Sequence, residues 1–153
     1  MAEVIVPSRI RAFLEREQRL YIGGRFVAGS GDTVVPVFDP ATGRQIATVP
    51  AAESADVDRA VDAARAAFDD GPWRRLGPSE RGRLIWKLAD LIEERAEEFA
   101  VLDSIDNGKP ISATREADVP LSIDLFRYMA GWTTKIEGNT IPVGIPDTPG
   151  AEY

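Results

Sequence analysis

Close to residue 50 the hydrophobic pattern changes its period, and that switch restricts the chain to folds that join short strands to longer helices. Before it, β-type runs are interrupted every few residues by Gly and Pro. After it, apolar residues recur at three- and four-residue spacing, the signature of amphipathic helices. No internal repeat or low-complexity tract disturbs this order.

The strand-rich part opens with a short helix after Pro7-Ser8, carrying Ile10, Phe13, Leu14 and Leu20 on one face. "LYIGGRFV" reads as a tight hairpin, because Gly23-Gly24 can take the positive φ angles of a two-residue turn. Two more strands are expected at Thr33–Phe38 and Gln45–Val49, joined by a Pro- and Gly-containing turn at 39–43. Pro36 marks an edge strand, since it cannot donate to a ladder.

In the helical part, Ser54 is the expected N-cap of a first helix, with Asp56 near the positive end of its dipole. Val57, Val61, Ala64 and Phe68 form its stripe, and Gly71-Pro72 stops it. Trp73 falls in the connection. A longer helix opens at Pro78 with Leu84, Leu88, Leu91 and Ile92 expected to be buried. Phe99, Leu102 and Ile105 continue its apolar face to Asn107-Gly108, while Glu93, Glu94, Glu97 and Glu98 form a solvated face without a catalytic role. A third helical segment spans roughly 112–136, with Pro120 marking a kink or first turn. From Gly138 onward "GNTIPVGIPDTPGAEY" reads as an extended strand and loop with an open edge.

Composition removes whole classes of function. Eighteen basic against 25 acidic residues give a net charge of −7, which opposes nucleic acid as a partner. No apolar run of about 20 residues exists to span a bilayer. The first residues do not read as a signal peptide, so a cytosolic location is expected. The chain has neither Cys nor His, which removes the thiol nucleophile and the commonest general base and metal ligand.

One stretch, "LDSIDNGKP" at 102–110, sets a local puzzle. Asn107 and Gly108 suit the left-handed conformation at a helix end, and Pro110 cannot continue the helix. Lys109 suits the negative end of the dipole, but Asp106 sits there against its preference. Either Asp106 points into solvent, or a cation or hydrogen-bonding partner offsets its charge.

The stretches "LYIGGRFVAGSG", "FDPATGRQIATV", "LDSIDNGKPI" and "FRYMAGWTTKIEGNTIPV", with the long run from Ala55 to Glu94 between them, occur in the order found in NAD(P)-dependent aldehyde dehydrogenases. The chain resembles the N-terminal part of that family over nearly its whole length. "FLEREQRLYIGGR" and "TTKIEGNTIPVGIP" most resemble the phenylacetaldehyde dehydrogenase branch.

The resemblance implies an α/β fold in which residues 1–137 supply part of the cofactor-binding domain, its outer helices and early strands. Residues 138–153 would start the oligomerisation segment. It further implies that the family's cysteine nucleophile, glutamate base and cofactor-gripping residues lie outside the matched region. No catalytic and no NAD- or NADP-binding residue is then expected here. By the same resemblance Val37, Phe38 and Asp106 would hold a monovalent cation such as Na+ or K+, and Ala117 and Leu121 would line the aldehyde tunnel. For the last two, plain helix packing is an equal alternative. The implied partners are the remainder of the enzyme and further copies in a homo-oligomer. Two other readings stay open: a non-catalytic module that pairs through an open strand, and one half of a split enzyme.

Overall fold

A computed structural model describes residues 4–139. Gly23 and Gly24, at φ 60° and 81°, make the positive-φ turn that closes the hairpin of β1 (Leu20–Ile22) and β2 (Arg25–Val27). The register pairs Tyr21 with Phe26, whose rings meet edge to face at 5.1 Å. A second antiparallel pair joins β3 (Val34–Phe38) to β4 (Gln45–Pro50). Its turn is organised by Asp39, which accepts from the Ala41 amide and the Thr42 hydroxyl, each at 2.8 Å. Among the described residues each sheet has two strands, so Pro36 does lie on an edge strand.

The helices are α1 (Ser8–Glu15), α2 (Ser54–Asp70), α3 (Pro78–Glu93) and α4 (Ala96–Asn107), then a single turn α5 (Ile111–Ala113) and α6 (Val119–Trp132). A short 3-10 turn at Pro72–Arg75 bridges α2 and α3, and a π-helical turn at Thr114–Asp118 bridges α5 and α6. The third helical segment therefore ends at Trp132, short of the predicted 136.

Three expectations are corrected. Ser54 is the first helical residue rather than the cap. Glu53 caps α2 and Asp56 answers it, accepting from the Glu53 amide at 3.0 Å. The predicted single helix from Pro78 to Asn107 is broken at Glu94-Arg95, where Arg95 takes φ −121° and ψ 22°. The break places Glu97 and Glu98 in the first turn of α4, at the end of the dipole that favours acids. Of the stripe expected to be buried on α3, Ile92 packs on the core but the three leucines are at the surface: Leu84 is 51% exposed, and Leu88 and Leu91 are also exposed.

What α3 buries instead is small. Gly82 and Ala89 face α6, and a Cβ at Gly82 would stand 2.9 Å from the Ala130 carbonyl oxygen. Two helices with such residues at the crossing approach closely, and the core forms around Ala89, Ala100, Val119 and Ile123 with Ile92 and Phe126 packed on it. The outward leucines are left for another surface. The stripe of α2 behaves likewise, with Val57, Val61 and Phe68 exposed.

Candidate functional site

The end of α4 and the segment after it collect most of the residues singled out by sequence. Gly108 adopts φ 78°, and its amide donates to the Ser104 carbonyl at 2.9 Å. A Cβ on Gly108 would also meet Pro40 Cγ at 2.9 Å, so glycine lets the helix end seat against the β3–β4 turn. The Ser104 hydroxyl donates to the Lys109 carbonyl at 2.7 Å. Lys109 pairs with Asp118 at 2.6 Å, which raises its pKa. Asn107 donates to Asp103 at 2.8 Å.

Asp106 is exposed at this end. It lines an apolar cleft of about 380 Å³ together with Val37, Phe13, Leu14, Phe99 and Leu102. The structure thus brings Val37 and Asp106 to one cleft. Phe38 is half exposed and does not line it; the ladder slips between Val37 and Phe38, with Ile46 the extra residue on β4. Among the described residues no group of three or more His, Cys, Asp or Glu side chains is placed to hold a metal ion. Ala117 is half-buried in the π-helical turn, and Leu121, in the first turn of α6, is 65% exposed. Thr140–Tyr153, most of the predicted oligomerisation segment, lie outside the described residues.

Two charged clusters add partners to residues that the sequence had already placed. Asp56 is buried and accepts from the Ser30 hydroxyl at 2.6 Å, the Ser30 amide, the Glu53 amide and Arg59. These donors, led by the Ser30 hydroxyl, hold its pKa far below the usual carboxylate range. The second cluster involves the glutamates read as a solvated face. They are exposed or half-buried but paired: Glu97 with Arg115, Glu93 with Arg127, and Glu98 with Arg9. Arg127 also reaches Asp90 at 3.2 Å and lies 5.5 Å from the Trp86 ring centre. The acid three residues after Glu53 was the available signal for the first cluster. Nothing in the local sequence points to partners 18 or more residues away.

The chain lacks Cys and His. The described residues present only antiparallel hairpins, with no glycine-rich loop running from a strand into a helix to cradle a dinucleotide. Oxygen ligands at Asp106 and on β3 are chemically suited to a hard cation. Among the described residues no helix is long and apolar enough to cross a membrane.

Comparison with known proteins gives a consistent result. The sequence model described as "Aldehyde dehydrogenase family" matches residues 26–151. "Putative aldehyde dehydrogenase DhaS" of Bacillus subtilis is 50% identical over 138 residues, covering 90% of this chain and 28% of that protein. The mitochondrial aldehyde dehydrogenase family 2 member B4 of Arabidopsis thaliana is 46% identical, with 81% of this chain and 23% of its own length covered. The structure of an aldehyde dehydrogenase from Bacillus cereus, solved as its NAD+ complex, superposes with a TM-score of 0.86 at 43% identity. That match takes in 94% of this chain and 29% of the Bacillus cereus chain. The segment matched is the N-terminal part of these proteins, so the chain spans less than a third of their length. On sequence and on fold, the chain belongs to the aldehyde dehydrogenase family.

Proposed function

We propose that these 153 residues form the N-terminal portion of an enzyme that oxidises an aldehyde to a carboxylic acid with NAD+ or NADP+, and that they are inert alone. The observation that carries this reading is the Bacillus cereus match, in which nearly all of this chain corresponds to under a third of an NAD+-bound enzyme. In that role the chain supplies support, with α3, α4 and α6 forming a packed unit whose outward leucines await a covering surface. The cofactor's chemistry, acceptance of a hydride, would be supplied where residues outside this segment hold it. Val37, Phe38 and Asp106 would hold a monovalent cation, Ala117 and Leu121 would border the aldehyde's path, and the complete enzyme would work as a cytoplasmic homo-oligomer.

Fragment complementation tests the reading. A Bacillus cereus aldehyde dehydrogenase polypeptide lacking the segment this chain covers is mixed with the 153-residue chain. Acetaldehyde-dependent NAD+ reduction is expected from the mixture and from neither part alone. Turnover by the chain alone, above a denatured control, would contradict the proposal. So would a silent mixture when the Bacillus polypeptide is restored by its own missing segment.

A further inference from the structure

Between Thr114 and Asp118 the helix widens to a π-helical turn, and the Val119 amide donates to the Thr114 carbonyl five residues back instead of four. Such a turn holds one residue more than an α-helical turn in the same place. Thr114, fully buried, lies with its hydroxyl 2.9 Å from the Ala100 carbonyl of α4 and 3.0 Å from the Ile111 carbonyl, its proton serving one at a time. Arg115 is forked onto Glu97 of α4, and Asp118 pairs with Lys109. Both ends of the turn are thus tied to the α4 side of the molecule. Pro120 follows without an amide hydrogen, so the residue five after Arg115 cannot donate to the Arg115 carbonyl.

Downstream, α6 is apolar on two opposite faces. Val119, Ile123, Phe126 and Ala130 belong to the side packed into the core and against α3. Leu121, Leu125, Tyr128 and Trp132 stand two positions on, about 200° around the helix, and all are exposed. Because both stripes are apolar, the composition of α6 does not by itself say which should face α3. A slip of one residue would rotate the helix by about 100° and withdraw the small Ala130 from Gly82.

We infer that the π-helical turn is a register device, which absorbs one extra residue so that the anchored Thr114 and the core stripe of α6 each keep their place. Glu116 is exposed in the turn, and deleting it closes the turn into an ordinary α-helical one with both flanks unmoved. Deleting Ser122, exposed within α6, costs the turn only the bond from the Ser122 hydroxyl to the Asp118 carbonyl, keeps its residues and rotates everything after it.

The absence of cysteine makes the register directly readable. Single variants Tyr128→Cys, on the outward stripe, and Ala130→Cys, on the core stripe, are placed in the 153-residue chain and reacted with a small thiol reagent. In the parent and in the Glu116 deletion, Ala130→Cys is expected to react slower than Tyr128→Cys by on the order of tenfold or more. In the Ser122 deletion that protection is expected to vanish. Loss of protection in the Glu116 deletion, through rotation or unfolding, overturns the inference. Retained protection in the Ser122 deletion overturns it equally, because the turn would then have no special part in setting register.

Discussion

Asp56 and Asp106 stand at opposite kinds of helix end, and they are treated in opposite ways. Asp56 sits in the first turn of α2, where the helix dipole favours a carboxylate, and it is buried under donors from Ser30, Glu53 and Arg59. Asp106 sits in the last turn of α4, where the dipole opposes it, and it is exposed at the lip of an apolar cleft. A carboxylate that is favoured by its helix and saturated by neighbours is there to hold the chain together. A carboxylate placed against its helix and left accessible has no such structural explanation; Asp69 and Asp70, exposed at the end of α2, share that placement, and it is the family resemblance that makes Asp106 the proposed cation ligand.

The sharpest way to break the comparison is Asp56→Ala, the change with the largest expected effect. It strips the acceptor from two part-buried amides, a hydroxyl and a guanidinium, so the melting midpoint should fall further than for Gly108→Val. The pH dependence has a defined sign. A depressed pKa means that the contribution is complete above the unfolded aspartate value of about 3.9 and is lost as pH falls through the folded value. The gap in midpoint between parent and Asp56→Asn should therefore be widest near neutrality and narrow in acid. A gap that widens below pH 4 would contradict the donor arrangement.

Next in size is Gly108→Val. A β-branched residue at φ 78° with its Cβ directed at Pro40 should cost about 2 kcal/mol in denaturant unfolding. The smallest effect reverses sign. Asp106→Ala, measured in a buffer whose only cation is a bulky organic one, should stabilise the chain by roughly 0.5 kcal/mol through relief of the dipole conflict. A loss of stability there would mean that Asp106 is as structural as Asp56.

These two ends also show what the sequence could disclose. Turns whose geometry depends on one or two residues were legible: Gly23-Gly24, the Asp39 turn, the Pro78 start and the Gly108 stop. Features decided by distant partners were not. Ser54 has the better capping chemistry, yet Glu53 caps α2 because Asp56 is drawn to Ser30, 26 residues earlier. Leucine spacing on α3 marked an apolar face but not whether anything covers it, and Gly82 with Ala89 took the crossing with α6 instead. Pro120, read as a kink or a first turn, does lie in the first turn of α6, but the π-helical turn before it was not legible, since the Thr114 hydroxyl meets α4 fourteen residues earlier. For the candidate cation site, the pairing of Val37 with Asp106 at one cleft came from family resemblance rather than from spacing, and Phe38 falls outside the cleft.

The contrast between a structural and a ligand-directed aspartate rests most directly on one measurement. Thermal melts of the parent chain and of Asp106→Asn are recorded in NaCl, KCl and tetramethylammonium chloride at equal ionic strength. The account predicts a higher midpoint for the parent in Na+ or K+ than in the organic cation, and no such difference in Asp106→Asn. Equal midpoints for the parent in all three salts would contradict it and leave Asp106 a solvated helix end.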